Sequence, residues 1–346
     1  GRPDVGALAA WLAQFRLEAL SCPDLALTDF LPALGREGLA VYREAVEDAP
    51  PSRQRFVLEV ELADADGDVD RAVELLAEEN TGPWYASIVE RLLGAGRRDE
   101  AMTWLDRAVA AESVGRSFWD RPEDTDIVRK RLDAPWAIDL YIGADRPDDA
   151  VELAHRLFRD NPGTAAYDLL LNTAERLGRR DREYEAALAW IDGRNWRDAD
   201  IPITLALHEG DVERAWRAAD RWGADDAWRN LADAVPQPRP ADAMRLYEEA
   251  VTRTLGRRST RETSQRIAQF AVRLRDIAAA ADAAGAAEAA DEAGAGPTDE
   301  GAAAVGAGAG RRSGAYTKRF RVWLDNLRNS CRHRPTVHDE LRQAGL

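Results

Sequence analysis

Apolar residues recur at helical spacing along most of the chain. In the segment "EGDVERAWRAADRW" (residues 209–222), the apolar positions are Val212, Ala215, Trp216, Ala219 and Trp222. At 3.6 residues per turn these positions fall on one face of a helix, and the charged residues fall on the other. The segment "DVDRAVELLAEE" (residues 68–79) has the same spacing. No segment shows a competing strand-like alternation of apolar and polar residues, so the pattern predicts an all-α protein.

A short turn sequence joins these helices repeatedly. A glycine, an acidic residue and an alanine occur in order in "DADGDVDRAVELL" (64–76), "GAGRRDEAMTWL" (94–105) and "HEGDVERAWRAA" (208–219). Glycine can end a helix in the left-handed conformation, and Asp68, Asp99 and Asp211 are predicted to cap the helix that follows. The alanine five residues after the glycine is predicted to pack where the two helices of a hairpin approach closely. This position is held by Ala72, Ala101, Ala150, Ala215 and Ala243.

Some turns are variants of this sequence. Ala150 and Ala243 end "ADRPDDA" and "PRPADA", which lack the glycine, and "ERLGRRDREYEAAL" (175–188) is a divergent candidate for an intervening turn. Repeats of the tetratricopeptide kind are helix pairs with a period of about 34 residues, and their inter-helix turns carry the same glycine–alanine offset. The sequence therefore predicts a degenerate, tetratricopeptide-like α-solenoid.

Changes in composition along the chain divide it into four regions. Residues 1–50 form an N-terminal helical segment that ends at the proline-containing "EDAPPSRQ", and residues 51–283 form the helical-repeat array, with a polar insertion at 114–126. Residues 284–314 are a low-complexity Ala/Gly linker. Its alanine-rich start can extend a helix, whereas its glycine-rich remainder has little to bury and is predicted to be mobile. Residues 315–346 are predicted to form a basic C-terminal helix that packs on the array.

The order of these segments resembles a known family. "PDVGALAAWLAQF", "LTDFLPALGREGLAVYREAV", "WYASIVERLLGAGRRDEAMTWLDRAV", "RPADAMRLYEEAV" and "RHRPTVHDELRQAGL" look like the C-terminal helical region of bacterial, actinobacterial-type SWIM zinc-finger proteins. The resemblance implies that the zinc module, with its C-x-C…C-x-H pattern, would precede this segment. With Gly1 as its first residue, we expect the chain to be a piece of a longer protein. The only C-x-H here is Cys331–Arg332–His333, at the wrong end, so no metal ligand is carried over.

The charge of the chain bears on its partners. The net charge is −15, from 62 acidic and 47 basic residues, which disfavours nonspecific binding of nucleic acid by the whole surface. Arginines are nevertheless dense over 253–275 and 311–334. No apolar run is long enough to cross a bilayer. Two isolated cysteines, Cys22 and Cys331, indicate a reducing compartment, and we expect a cytoplasmic protein.

No motif in the sequence indicates metal binding or catalysis. In "DADGDVD" a calcium loop starting at Asp64 would need glycine and glutamate where Val69 and Leu75 stand. Cys331, His333 and His338 lack a fourth zinc ligand nearby. His155 is interpreted as a half-buried helix residue and His208 as a partner of a helix C-terminus. We therefore expect no cofactor, no metal and no catalysis, and an enzyme is the third hypothesis.

The aromatic and basic residues carry the two leading hypotheses. Most of the eleven tryptophans are expected to fill the space between helices, but Trp119 and Trp196 lie in polar, loop-like surroundings and are predicted at the surface. The first hypothesis is a non-catalytic scaffold that binds a protein partner, where tryptophan and arginine dominate interface energies. The alternative is a module that contacts nucleic acid through its basic C-terminal residues. The candidate partner-binding arginines are Arg257, Arg258, Arg261, Arg319 and Arg321, with Arg334 added in the nucleic-acid alternative.

Overall fold

A computed structural model describes residues 4–18, 25–79, 82–115, 130–197, 199–294 and 314–346. These residues form helices joined by short turns, with an isolated backbone bridge between Val114 and Leu132, so the protein is all-α. The glycine-rich part of the predicted linker, residues 295–313, and most of the polar insertion, with Trp119, lie outside the described residues.

The chain divides into two compact units. Unit 1 comprises Gly1–Asn161 and Asp168–Glu185, and unit 2 comprises Pro162–Tyr167 and Ala186–Leu346. The division lies inside the region 51–283 and passes through two helices, α9 (Thr164–Arg176) and α10 (Arg180–Gly193).

Eight helices of unit 1 follow one another, and each of them contacts the next along the chain. The first two are joined to the third by a core that contains Leu12, Leu34, Tyr42, Leu58 and Leu62. The helices are α1 (Val5–Glu18), α2 (Leu27–Glu47), α3 (Arg53–Asp66), α4 (Val69–Ala77), α5 (Tyr85–Gly94), α6 (Arg98–Ala110), α7 (Ala134–Gly143) and α8 (Pro147–Asp160).

Unit 2 is built around a long helix, α15, which contacts three others. Its alanine-rich end carries the helix into the predicted linker as far as Gly294, as the sequence suggests. The region after the linker is two helices rather than one, and both pack on α15. The helices are α11 (Asp200–His208), α12 (Val212–Trp222), α13 (Trp228–Ala232), α14 (Pro240–Leu255), α15 (Arg261–Gly294), α16 (Ala315–Ser330) and α17 (Pro335–Gln343).

The same turn ends the first helix of five hairpins. The backbone has a positive φ of 67–77° at Gly67, Gly96, Gly178 and Gly210 and of 59° at Asp145. The N–H of the following residue donates to the carbonyl five residues back, at 2.8–2.9 Å in each turn. This is the hydrogen bond of a Schellman motif, which satisfies carbonyls that a helix end would otherwise leave without donors. The divergent turn at Gly178 thus has the geometry of the others, and an aspartate takes the glycine position in the third.

The residue after the glycine caps the next helix. Asp68 and Asp211 accept hydrogen bonds from the N–H groups of Arg71 and Arg214, at 2.9 and 2.8 Å. The prediction for Asp99 is wrong, because the N-cap there is Arg97 and Asp99 lies inside the first turn of α6. Since the turn geometry fixes the cap directly after the glycine, two arginines in "GRRD" displace the aspartate from it.

The alanines at the fifth position are at most 1% exposed. The turn at Gly178 has Glu183 in this position, and its side chain is buried. Glu183 Oε2 lies 2.7 Å from His155 Nε2 of the preceding hairpin. The interpretation of His155 as half-buried is therefore wrong: it is 6% exposed and makes a polar contact between α8 and α10.

A polar triad recurs inside each unit. A tyrosine hydroxyl donates to a carboxylate, at 2.5–2.8 Å, and the same carboxylate accepts from an arginine. Burial, followed by the hydrogen bond to the carboxylate, raises the pKa of Tyr247 to about 12, so this hydroxyl stays a donor at neutral pH. The triads are Tyr141–Asp106–Arg146, Tyr167–Glu209–Arg214 and Tyr247–Asp233–Arg273.

Candidate functional site

Among the described residues, the most exposed pair of aromatic side chains lies on α1 of unit 1. Trp11 is 55% exposed and Phe15 is 41% exposed. They are four residues apart, so they share a helix face, and their rings stack with centroids 5.4 Å apart. Ala7 and Ala10 on the same helix are also exposed. We name Trp11 and Phe15 the α1 aromatic pair. A stacked pair of this kind holds a rigid apolar surface toward solvent.

The opposite face of α1 is fixed by a buried ion pair. Arg16 is 2% exposed and Glu61 of α3 is 5% exposed. Arg16 Nη2 donates to Glu61 Oε1 at 2.8 Å, and Nη1 contacts Glu61 Oε2 and the Tyr42 hydroxyl of α2. Burial alone would lower the pKa of the Arg16 guanidinium, but the hydrogen bond and charge of Glu61 outweigh it and raise that pKa. The outward direction of Trp11 and Phe15 is thus set by buried contacts behind them.

Trp196 is anchored rather than free. Its Nε1 donates to the carbonyl of Ile191 at 2.9 Å, and its ring meets that of Trp190 edge-on at 5.8 Å. The Arg194 guanidinium lies over both rings, 5.2 Å from the Trp190 centroid and 5.0 Å from the Trp196 centroid. Both tryptophans are partly buried. Trp196 therefore presents part of its surface together with an arginine.

The predicted basic cluster is divided in space. Arg319 pairs with Glu248 of α14 at 3.1 Å, and Arg261 pairs with Glu340 of α17 at 3.3 Å. Arg257, Arg258 and Arg321 are exposed and make no ion pair with the described part of the chain. Glu248 lies two turns before the end of α14, so Arg319 is held roughly 10 Å from the end that Arg257 and Arg258 follow.

A different set of arginines meets at that end of α14. Arg334 Nη1 donates to the carbonyl of Leu255 at 3.0 Å, which brings the α16–α17 turn to the end of α14. Arg332 lies two residues away in the same turn and is exposed. We name Arg257, Arg258, Arg332 and Arg334 the basic end.

The residues weighed as metal ligands have structural contacts. Asp64 pairs with Arg91 at 2.6 Å, and Asp66 pairs with Arg43 at 2.8 Å. Cys331 is 1% exposed, and burial raises the pKa of its thiol. Within the described ranges, no group of three or more His, Cys, Asp or Glu side chains is placed to hold a metal ion. Likewise, no helix in the described part of the chain is long and apolar enough to span a bilayer.

The α1 aromatic pair was not predicted from sequence. The α1 segment "VGALAAWLAQFRLE" carries apolar residues on both of its faces, so its pattern does not say which face is inward. Arg16 gives no such signal in the sequence, since an arginine is ordinarily expected at the surface and only its contact with Glu61 shows that its face is the inner one.

Comparison with known proteins gives one match. Residues 33–161 match the model of a family of unknown function, DUF6880. The matched region begins inside α2 and ends just after α8, so it includes three of the five hairpin turns described above and excludes the α1 aromatic pair. No curated protein matches the chain.

Proposed function

We propose that the chain is a non-catalytic helical-repeat scaffold of the tetratricopeptide-like α-solenoid type that binds a protein partner. The α1 aromatic pair carries this proposal. Contiguous exposed aromatic surface is typical of protein interaction sites, and buried aromatics dominate the energy of interfaces. The rings are stacked and their helix is fixed by Arg16 and Glu61, so a partner would order few additional side chains on binding.

The recurring turn supports the repeat assignment. Five Schellman turns with equivalent hydrogen bonds, each followed by a buried residue at the fifth position, are what a degenerate helix-pair repeat requires. The resemblance to SWIM zinc-finger proteins supports a further proposal, that this scaffold is the C-terminal part of a larger protein of that kind. The buried free thiol of Cys331 supports a cytoplasmic location.

Affinity purification with quantitative mass spectrometry tests the scaffold. The bait is the full chain, compared with Trp11→Ala, with Phe15→Ala and with Gln14→Ala, a control at an exposed position of the same helix. A captured protein is then purified and titrated against each variant. We expect Trp11→Ala and Phe15→Ala to weaken binding at least about tenfold, as hot-spot truncations do. Equal binding by all three variants, with melting curves unchanged, would refute the assignment to α1.

Trp196 serves as a second contact in this proposal. Its ring, Trp190 and Arg194 combine residue types that are enriched at interfaces, and Arg194 makes no ion pair with a described residue. The Trp196 indole also supports the loop after α10, so its replacement can lower stability as well as affinity. The melting temperature of the variant is therefore measured together with its affinity for the partner.

The basic end supports a second candidate function, contact with nucleic acid. The hydrogen bond from Arg334 to Leu255 brings a loop with Arg332 and Arg334 to the end of α14 that Arg257 and Arg258 follow. Phosphate binding releases counterions, so each phosphate contact adds about 0.9 to the slope of log affinity against log salt. Neutralising Arg257 and Arg258 together should then flatten the slope by about 2. The matched control is the double variant Arg319→Gln/Arg321→Gln. If both double variants change the salt slope equally, the basic end is not the site that contacts nucleic acid.

A further inference from the structure

A cleft of about 720 Å³ lies in unit 2, and neither the α1 aromatic pair nor Trp196 is among its lining residues. Side chains of α13, α14, α15 and α17 line it. Its volume lies within the roughly 300–1,000 Å³ of small-ligand sites. Apolar surface comes from Phe270 and Ala268, and amide groups come from Gln265, Gln269 and Gln343.

A cluster of aromatic rings makes one wall rigid. Trp228, Tyr247 and Phe270 meet edge-on, with centroids 5.1–5.8 Å apart. The Arg229 guanidinium lies over two of these rings, 5.5 Å from the Trp228 centroid and 5.4 Å from the Phe270 centroid. This stacking orients the planar guanidinium at the cleft without using its N–H groups.

The other charges that line the cleft are already paired. Asp233 pairs with Arg273 at 3.0 Å and accepts from the Tyr247 hydroxyl at 2.6 Å. Glu340 accepts from Arg261 at 3.3 Å and from Gln265 at 3.4 Å. Arg229, in contrast, makes no ion pair with any residue that the structure describes. The cleft therefore presents one unpaired positive charge, held in place by aromatic rings.

We propose that this cleft binds a peptide segment that carries a carboxylate side chain. The carboxylate pairs with Arg229, whose fork of N–H groups matches two carboxylate oxygens. Gln269 and Gln343 are exposed at the cleft, and a primary amide both donates and accepts, as a peptide group does. A single unpaired cation suits a monoanionic carboxylate better than a phosphate dianion, so the occupant is an acidic peptide.

The probes are small peptides of defined charge. The N-acetylated, C-amidated tripeptide Ala-Glu-Ala is titrated into the full chain, and the indole N–H signal of Trp228 is followed by NMR. Ala-Gln-Ala with the same end groups is the neutral probe, and inorganic phosphate is the third. We expect the glutamate probe to bind about tenfold more tightly than the glutamine probe, since a charge-assisted hydrogen bond distinguishes them.

Variants of exposed arginines test the role assigned to Arg229. Arg229→Gln should weaken binding of the glutamate probe about tenfold. Arg229→Lys should recover part of the lost affinity, because lysine restores the positive charge but not the forked N–H groups of arginine. Arg217→Gln, an exposed position on α12 without an ion pair to a described residue, should leave binding unchanged. Equal affinities for the two peptides, an unaffected Arg229→Gln variant, or tighter binding of phosphate than of the glutamate probe would each overturn the proposal.

The proposal for this cleft and the proposal for the α1 aromatic pair can be refuted independently of each other. The α1 experiment depends on Trp11 and Phe15 in unit 1, whereas every residue used here lies in unit 2. Loss of one result therefore leaves the other intact.

Discussion

Arg16 and Glu61 show how a single buried contact fixes the face that a helix presents. Taking both charges out of water is costly, and their mutual attraction offsets that cost only while both are present. Arg16 Nε has no hydrogen-bond acceptor, so the contact with Glu61 carries most of the compensation.

The first prediction concerns this pair. Arg16→Met or Glu61→Leu alone leaves an uncompensated buried charge and should lower the free energy of unfolding by about 3–5 kcal/mol. The double variant, with both charges removed, should be less destabilised than the sum of the single variants. Urea denaturation measures the three values, and strict additivity would show that the two side chains do not stabilise each other.

Individual residues show where sequence reasoning reaches its limit. Asp68 and Asp211 could be predicted as caps because capping depends on the adjacent residues alone. The burial of Glu183 could not, because its partner His155 lies 28 residues away and only the packing of two hairpins brings them together. The exposure of Trp11 could not be predicted for the same reason, because it depends on the contacts that the other face of α1 makes.

At the scale of helices, packing constrains the hairpin alanines, which are at most 1% exposed. Ala101→Leu should force the α5–α6 contact apart and lower the free energy of unfolding by about 1–3 kcal/mol. Ala110→Leu is the matched control, since Ala110 is exposed on the same helix, and its effect should stay within about 0.5 kcal/mol. Thermal or urea denaturation compares them. Equal stability of the two variants would show that Ala101 does not lie at a close contact.

The start of α16 depends on a carboxylate from α15. Asp282 accepts hydrogen bonds from the N–H groups of Tyr316 and Thr317, at 3.1 and 2.9 Å. Burial alone would raise the pKa of Asp282, but the hydrogen bond from the Thr317 side chain, together with those from the backbone N–H groups, outweighs it, and the pKa is lowered. A lowered carboxyl pKa means that the stabilisation is complete above the unfolded pKa of about 3.9 and is lost as pH falls through the folded value.

The corresponding prediction is a pH-dependent effect of Asp282→Asn. At pH 6 the variant should show faster hydrogen exchange at the start of α16 than the unmodified chain does. The difference should shrink as the pH falls below about 4 and should be smallest below the lowered pKa of Asp282, where the carboxyl group of the unmodified chain is also protonated. Asp276→Asn, at an exposed position on the same helix, should have no effect on α16. A difference that is constant with pH would exclude the charge of Asp282 as the cause.

The turns were predictable at this scale and the interhelical contacts were not. Glycine and its neighbours determine a Schellman turn locally, so most hairpin positions follow from sequence, including the divergent one at Gly178, whereas the predicted variant turn before Ala243 has neither the positive φ nor the hydrogen bond. The grouping of arginines depends on contacts such as that between Leu255 and Arg334, which are 79 residues apart. Sequence density therefore grouped both Arg319 and Arg334 with Arg257, whereas in the structure Arg334 lies at the end of α14 and Arg319 pairs with Glu248.

At the scale of the whole molecule, charge separates the two candidate functions. A net charge of −15 repels nucleic acid, so any attraction has to come from a local group of basic residues such as the basic end. Protein binding by the α1 aromatic pair has no such requirement, because apolar burial drives it.

The most direct test distinguishes a protein-binding scaffold from a nucleic-acid-binding module. Double-stranded DNA is titrated into the full chain at several salt concentrations. A protein-binding scaffold with this net charge should bind DNA no better than nonspecifically, with a Kd of about 10⁻⁴–10⁻⁶ M at physiological salt. Sub-micromolar binding that weakens steeply as salt rises would contradict the proposed function and assign the chain to nucleic acid.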